Sequence, residues 1–234
     1  MRTDKGFGEG KAEIGRRPEM RDVIVMGGSF NPPTKAHEVV MKSAVAETGA
    51  EFGTFVPSSD AYVRRKMNRR KPPEETYPEE IRLRMLEAVC AGDPRLKVSA
   101  CEFGDDGRGH TYDTLLRLRE EIPDARLWFL VGADKLRIIP KWRNAEALLR
   151  DFGIAVLARK RSDPEKAVAK NGFLSERASS IRFLTAPEGI SEISSTKVRE
   201  LARTGRLEEA KDLVAPETLR MLSEIYADGT EEKR

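Results

Sequence analysis

Short apolar runs, each closed by glycine or proline and each followed by a stretch with helical spacing, recur along this chain. That alternation limits the possible folds more than any other feature. Asp22-Val-Ile-Val-Met26 followed by Gly27-Gly28 reads as a buried strand ending in a tight turn. Asn31-Pro32-Pro33 then opens a helix near Thr34, with Ala36, Val39, Val40, Ser43 and Ala44 at helical spacing. Gly53–Pro57 reads as a second strand, and Tyr62–Lys71 as a long basic loop carrying Arg64, Arg65, Lys66, Arg69 and Arg70. A helix at Pro78–Val89 and a strand at Leu96–Ala100 follow, then a helix at Thr111–Glu121 with Leu115, Leu116 and Leu118 inward. Leu127–Val131 is a buried strand ending at Gly132-Ala-Asp134, followed by a helix at Trp142–Arg150 and a strand at Phe152–Ala158. Phe183-Leu184 adds a short strand. Ser195–Thr204 and Pro216–Tyr226 read as helices, separated by a helical step at Leu207–Leu213. Strands alternating with helices predict an α/β protein whose parallel sheet has helices on both faces. Ligands of such sheets sit beyond the carboxyl ends of the strands, near the point where strand order reverses. Residues 27–37, 57–66, 132–142 and 190–199 are therefore the functional candidates.

The length of 234 residues fits a single domain over 21–226, with a disordered leader at 1–20 and a frayed tail at 227–234. Lysine and arginine number 42 against 39 aspartate and glutamate, a net +3 that is too small to argue for nucleic acid as a partner. No apolar run is long enough to span a membrane. Cys90 and Cys101 have neither a disulfide framework nor metal spacing, and residues 1–20 lack a secretory apolar region. Both point to a cytoplasmic protein with reduced, packed thiols, and no protein-held metal site is expected. Histidine chemistry has only His37 and His110 to draw on.

Two segments carry chemistry. In Gly27-Gly28-Ser29-Phe30-Asn31-Pro32-Pro33-Thr34-Lys35-Ala36-His37, glycines let backbone N–H groups approach a phosphate and the helix start aims its positive end at the same spot. It is neither a dinucleotide GxGxxG nor a P-loop. His37 lies one turn into the helix, on the Thr34 side. In Ile193-Ser194-Ser195-Thr196-Lys197-Val198-Arg199, Ser194 or Ser195 is a natural N-cap. Ser195 and Thr196 share a helix face with Arg199, whose planar fork suits phosphate oxygens. Two anion-binding helix starts in one sheet protein point to a clamped nucleoside triphosphate.

The pair GSFNPPTKAH and ISSTKVR resembles the (T/H)xGH and ISSTxxR signatures of the nucleotidyltransferase superfamily. More narrowly, the chain looks like the nicotinate/nicotinamide mononucleotide adenylyltransferases. Intervening matches come in order: Val56–Tyr62, Thr111–Leu115, Phe129–Asp134 and Pro140-Lys-Trp142. The resemblance covers about residues 22 to 225. It departs at Thr34 and Ala36, which stand for the first His and the Gly of HxGH. It departs again at Arg64 and Arg65, which replace lysines of relatives with a DAY segment, and at Arg108-Gly109-His110, where such relatives carry a second Trp.

The resemblance implies a Rossmann-like nucleotidyltransferase fold and transfer of AMP from ATP to a pyridine mononucleotide, in NAD biosynthesis, with Mg²⁺ bridging phosphate oxygens. It implies catalytic roles for His37 and Arg199. It implies ATP contacts from Gly28, Ser29, Phe30, Thr34, Arg64, Gly132, Asp134, Ser195 and Thr196, and a weaker one from Arg159. Tyr62, Thr111 and Trp142 would hold the mononucleotide, with Trp142 stacked on the pyridine ring. The acceptor phosphate is already an anion, so such chemistry needs positioning and charge neutralisation rather than a general base. Other classes compatible with the motifs are a sister transferase (phosphopantetheine adenylyl- or cytidylyltransferase) and a non-catalytic nucleotide sensor. Nicotinate against nicotinamide stays open, as does the oligomeric state, a homo-oligomer included.

Overall fold

The computed structural model describes residues 20–70, 74–106, 109–158 and 163–231, with side chains to 227. The expected leader therefore lies almost wholly outside the described residues, as do Arg159 and Lys71. Six parallel strands form a sheet in the order β3-β2-β1-β4-β5-β6. They are β1 (Arg21–Gly28), β2 (Phe52–Pro57), β3 (Leu96–Val98), β4 (Ala125–Gly132), β5 (Gly153–Ala158) and β6 (Ile181–Thr185). The chain runs outward from β1 to β3 and then returns to start β4 on the other side of β1. The switch point thus lies between β1 and β4.

The pleat sorts the central strands into two cores. Val23, Val25, Leu127, Phe129 and Val131 face one side, where they meet Leu115 and Leu118 of α4 (Thr111–Glu121) and Leu148 and Leu149 of α5 (Ala145–Asp151). Ile24, Met26, Trp128 and Leu130 face the other. They meet Met41, Ala44 and Val45 of α1 (Lys35–Thr48) and Leu86 and Val89 of α3 (Glu79–Cys90). Strands buried on both faces read as continuous apolar runs, as these do in the sequence. A third cluster joins α3 to α8 (Ser195–Arg203) and α9 (Pro216–Glu231) through Met85, Val198, Leu201, Met221 and Leu222.

Several expectations need correction. The long basic loop is a helix, α2 (Asp60–Asn68): Ser59 Oγ accepts the Tyr62 N–H at 3.4 Å and Val63 and Met67 are buried at i and i+4. Only those two apolar side chains face the core, so six cations in the segment hid the period. The expected helix at Trp142–Arg150 begins later, at Ala145, after two 3-10 turns at Ala133–Lys135 and Ile139–Lys141 and a left-handed Asn144 (φ 58°). β3 ends at Val98 rather than Ala100, where the chain turns. Two short helices, α6 (Pro164–Ala169) and α7 (Gly172–Ser175), had not been anticipated, although Asp163 and Asn171 cap them through the Lys166 and Leu174 N–H groups. The last helix continues past Tyr226 to Glu231, through Gly229.

Candidate active site

β1 ends in glycines because aromatic rings occupy the space a side chain would need. A Cβ on Gly27 would meet the Phe129 ring at 3.1 Å, and one on Gly28 the Phe30 ring at 3.2 Å. The turn that follows is forced into an uncommon shape: Phe30, 3% exposed, has φ of 43°. Two side chains hold it there. Arg82, fully buried, donates to the Ser29 carbonyl (2.9 Å), the Tyr77 carbonyl (2.9 Å) and Asp60 Oδ1 (3.1 Å). Asn31, 1% exposed, accepts the Tyr77 N–H and donates to the Glu75 carbonyl, both at 2.8 Å. Neither was singled out in the sequence, because each acts on backbone far along the chain.

Thr34 is the N-cap residue of α1 and His37 occupies the third helical position, where a capping box has Glu or Gln. The Thr34 N–H donates to His37 Nδ1 at 3.0 Å, and the Thr34 hydroxyl lies 2.8 Å from the same nitrogen. Desolvation pulls the imidazole pKa down to about 4, outweighing the Thr34 hydrogen bond that raises it, with Lys66 lowering it further. His37 is thus neutral at pH 7, and with Nδ1 occupied as acceptor its proton sits on Nε2. Thr34 itself is fully buried, holds His37 Nδ1 and is not among the residues lining the adjoining cavity.

Around this turn lies a cavity of about 280 Å³. Gly28, Ser29, Phe30, Asn31 and His37 form one wall, Lys66, Met67 and Arg70 another, and Ser195, Thr196 and Arg199 the third. Ser194 is the cap of α8, accepting the Lys197 N–H at 3.2 Å. Ser195 is thereby free to donate to the Pro32 carbonyl at 2.7 Å, which ties the two helix starts together. Arg199, 7% exposed, donates to the Asn31 carbonyl, reaches Thr196 Oγ1 at 3.2 Å and pairs with Glu74.

α2 presents Lys66 rather than Arg64. Lys66 Nζ donates to Ser29 Oγ at 2.9 Å, and its pKa is lowered by burial first and then by Arg70, Lys135 and Arg199. Arg64 points away, two-thirds exposed and paired with Asp60 one turn back at 3.2 Å. Arg64, expected as an ATP contact, is thus not among the residues lining this cavity, whereas Lys66 of α2 and Arg70 just beyond the helix are.

Gly132 and Asp134 stand at the carboxyl end of β4 beside β1, but line neither this cavity nor a second one. The Asp134 carboxylate folds over Gly132 and pairs with Lys135 at 3.0 Å. The second hollow, of about 340 Å³, is lined by Gly104, Asp105, Asp106, His110, Asp113, Thr114, Arg117 and Arg143. Tyr62, Thr111 and Trp142 are not among its lining residues, although Thr111 and Trp142 adjoin His110 and Arg143 in the chain. A Cβ on Gly109 would touch the Tyr62 ring at 3.1 Å, Thr111 follows His110, and Trp142 packs edge-on against Phe129 at 6.4 Å. Cys90 and Cys101 are unpaired, with thiol pKa values pushed by burial to about 12 and about 11, so neither offers a nucleophile at neutral pH.

A parallel α/β sheet with a cation-lined cavity at its switch point, walled by two helix N-termini, defines a nucleotide-binding protein of the nucleotidyltransferase type. The family model for cytidylyltransferase-like proteins matches residues 25–201. A relative from Lachnoclostridium phytofermentans, named "Probable nicotinate-nucleotide adenylyltransferase", is 32% identical over 80% of this chain and 90% of its own. One of the same name from Neisseria meningitidis is 29% identical over 88% and 97%. The nicotinic acid mononucleotide adenylyltransferase of Plasmodium falciparum, solved with NaAD, superposes with a TM-score of 0.64 at 18% identity, over 88% of this chain and 98% of its own. The chain belongs to the cytidylyltransferase-like family, and within it to the nicotinate-nucleotide adenylyltransferases.

Proposed function

We propose that the protein transfers the AMP moiety of ATP to nicotinate mononucleotide, releasing pyrophosphate and forming the dinucleotide used in NAD synthesis. The observation that carries this reading is the convergence of His37, Lys66 and Arg199 on one cavity at the end of β1. A phosphate oxygen of the mononucleotide attacks the α-phosphorus of ATP, the bond to the β-phosphate breaks, and the electron pair leaves with pyrophosphate. The attacking oxygen is anionic, so no side chain has to remove a proton.

In this reading the neutral His37 donates its Nε2–H to an α-phosphoryl oxygen, where charge grows in the transition state. Lys66, Arg70 and Arg199, with the Ser195 and Thr196 hydroxyls and the N–H groups of the turn and the α8 start, neutralise the β- and γ-phosphates. Among the described residues no cluster of three or more His, Cys, Asp or Glu side chains is present, and the cavity wall is cationic. That donor set fits Mg²⁺ arriving on the triphosphate oxygens rather than in a protein cage, where it would add charge neutralisation. Tyr62, Thr111 and Trp142 remain our candidates for the mononucleotide on the strength of the sequence resemblance. Two unpaired thiols and no described helix apolar and long enough to cross a membrane suit work in the cytoplasm.

Pyrophosphate release with ATP, Mg²⁺ and nicotinate mononucleotide tests the assignment of His37. His37→Ala is expected to lower kcat by roughly 10²-fold or more, the usual cost of one transition-state donor. An unchanged kcat in a folded variant would remove His37 from the chemistry.

A further inference from the structure

We propose that Glu74 is an internal counter-anion of the cavity, occupying the cations that a polyphosphate must claim and leaving when one binds. The proposal rests on the reading of this cavity as a polyphosphate site. Arg199 is almost fully buried, and its Nη2 is paired with Glu74 Oε2 while Nη1 is held on the Asn31 carbonyl. The same carboxyl group has its other oxygen 4.0 Å from Arg70. One carboxylate thus serves two of the three cations in the cavity wall, and the wall itself contains no acidic residue. Arginine cannot shed its charge, so a buried guanidinium needs an anion nearby whether or not ligand is present.

Glu74 is placed to exchange. Its side chain is 22% exposed, at the rim, whereas the chain just after it is anchored. The Glu75 carbonyl and the Tyr77 N–H bond to the Asn31 side chain, and the Tyr77 carbonyl accepts from Arg82. The carboxylate can therefore swing out by side-chain rotation while the backbone that shapes the Ser29–Asn31 turn keeps its bonds. The forked phosphate group then takes over Nη2 of Arg199 and the Arg70 guanidinium. Because displacement of an existing ion pair is subtracted from the binding free energy, Glu74 weakens polyphosphate affinity and favours departure of pyrophosphate.

Calorimetric titration of inorganic tripolyphosphate into wild type, Glu74→Gln and Glu74→Ala tests this, with adenosine titrated in parallel and thermal unfolding checking each variant. The expected result is a Kd for tripolyphosphate lowered about tenfold in both variants, the size of a close charge-pair coupling, with adenosine affinity unchanged. Equal or weaker tripolyphosphate binding in the folded variants would overturn the proposal and make Glu74 a support for Arg199. So would a parallel change in adenosine affinity. A wild-type protein that binds no tripolyphosphate would instead refute the polyphosphate cavity on which the proposal stands.

Discussion

A histidine whose Nδ1 lone pair is filled by a backbone N–H acts at neutral pH only through its other nitrogen. For His37 this makes the group a hydrogen-bond donor and leaves the positive charge to Lys66, Arg70 and Arg199. The same burial has a thermodynamic signature. The folded-state pKa of about 4 lies below the unfolded value of 6.5, so the unfolded chain binds more protons between those values. Stability is therefore complete above pH 6.5 and is lost as pH falls toward 4. The loss is expected to be on the order of 1–2 kcal/mol once partial exposure is discounted. Calorimetric melting of wild type and His37→Gln across that range checks it: the wild type should lose more, and parallel curves would contradict the assignment. His37, Ser195, Thr196 and Arg199 were legible in the sequence because a local motif and its helix spacing fix them. Thr34, expected as a ligand contact, is fully buried and hydrogen-bonded to His37. Asn31 and Arg82 were illegible for a different reason. The bonds by which they reach the Glu75 and Ser29 carbonyls span 44 and 53 residues of chain, to backbone groups that bear no residue-type signature.

At the scale of elements, α2 decides which cation works. A polar segment with two inward apolar residues gives little periodic signal, so the helix was read as a loop and its register, which separates Lys66 from Arg64, was lost. The structure makes a paired prediction. Lys66→Ala is expected to lower kcat/KM for ATP by roughly tenfold or more, as for a charge-assisted phosphate contact. Arg64→Ala, an exposed pair with Asp60, should change it less than about twofold. Steady-state kinetics with varied ATP separates the two, and the opposite ranking would mean that α2 turns its other face to the substrate. The strands and the two motif-bearing helices, by contrast, were placed to within a few residues, since β-branched runs between glycines and prolines leave few alternatives.

Over the whole molecule, the sheet divides its labour end to end. Its carboxyl edge carries the cavity. Near its amino edge, Trp128 Nε1 donates to Asp22 Oδ1 at 2.8 Å, Arg182 pairs with Asp22 at 2.7 Å, and Arg182 and Arg126 cover the indole at 3.8 and 4.5 Å. β1, β4 and β6 are joined there, and Gly153 of β5 supplies the clearance: a Cβ would lie 2.2 Å from the ring. Gly153→Ala is expected to cost ~1–3 kcal/mol through overpacking, a fall of several degrees in Tm, while KM for ATP stays unchanged below the transition. A variant that melts like wild type would show that the indole has room to shift.

The central claim is that AMP, and not pyrophosphate or the γ-phosphate, moves to a pyridine mononucleotide. ATP labelled in its α-phosphate, incubated with the protein, Mg²⁺ and either nicotinate or nicotinamide mononucleotide, tests it most directly. The account predicts label in a dinucleotide with nicotinate mononucleotide as acceptor, and its loss in His37→Ala. Label confined to ATP with both acceptors, or recovered in ADP or AMP rather than in a dinucleotide, would contradict it.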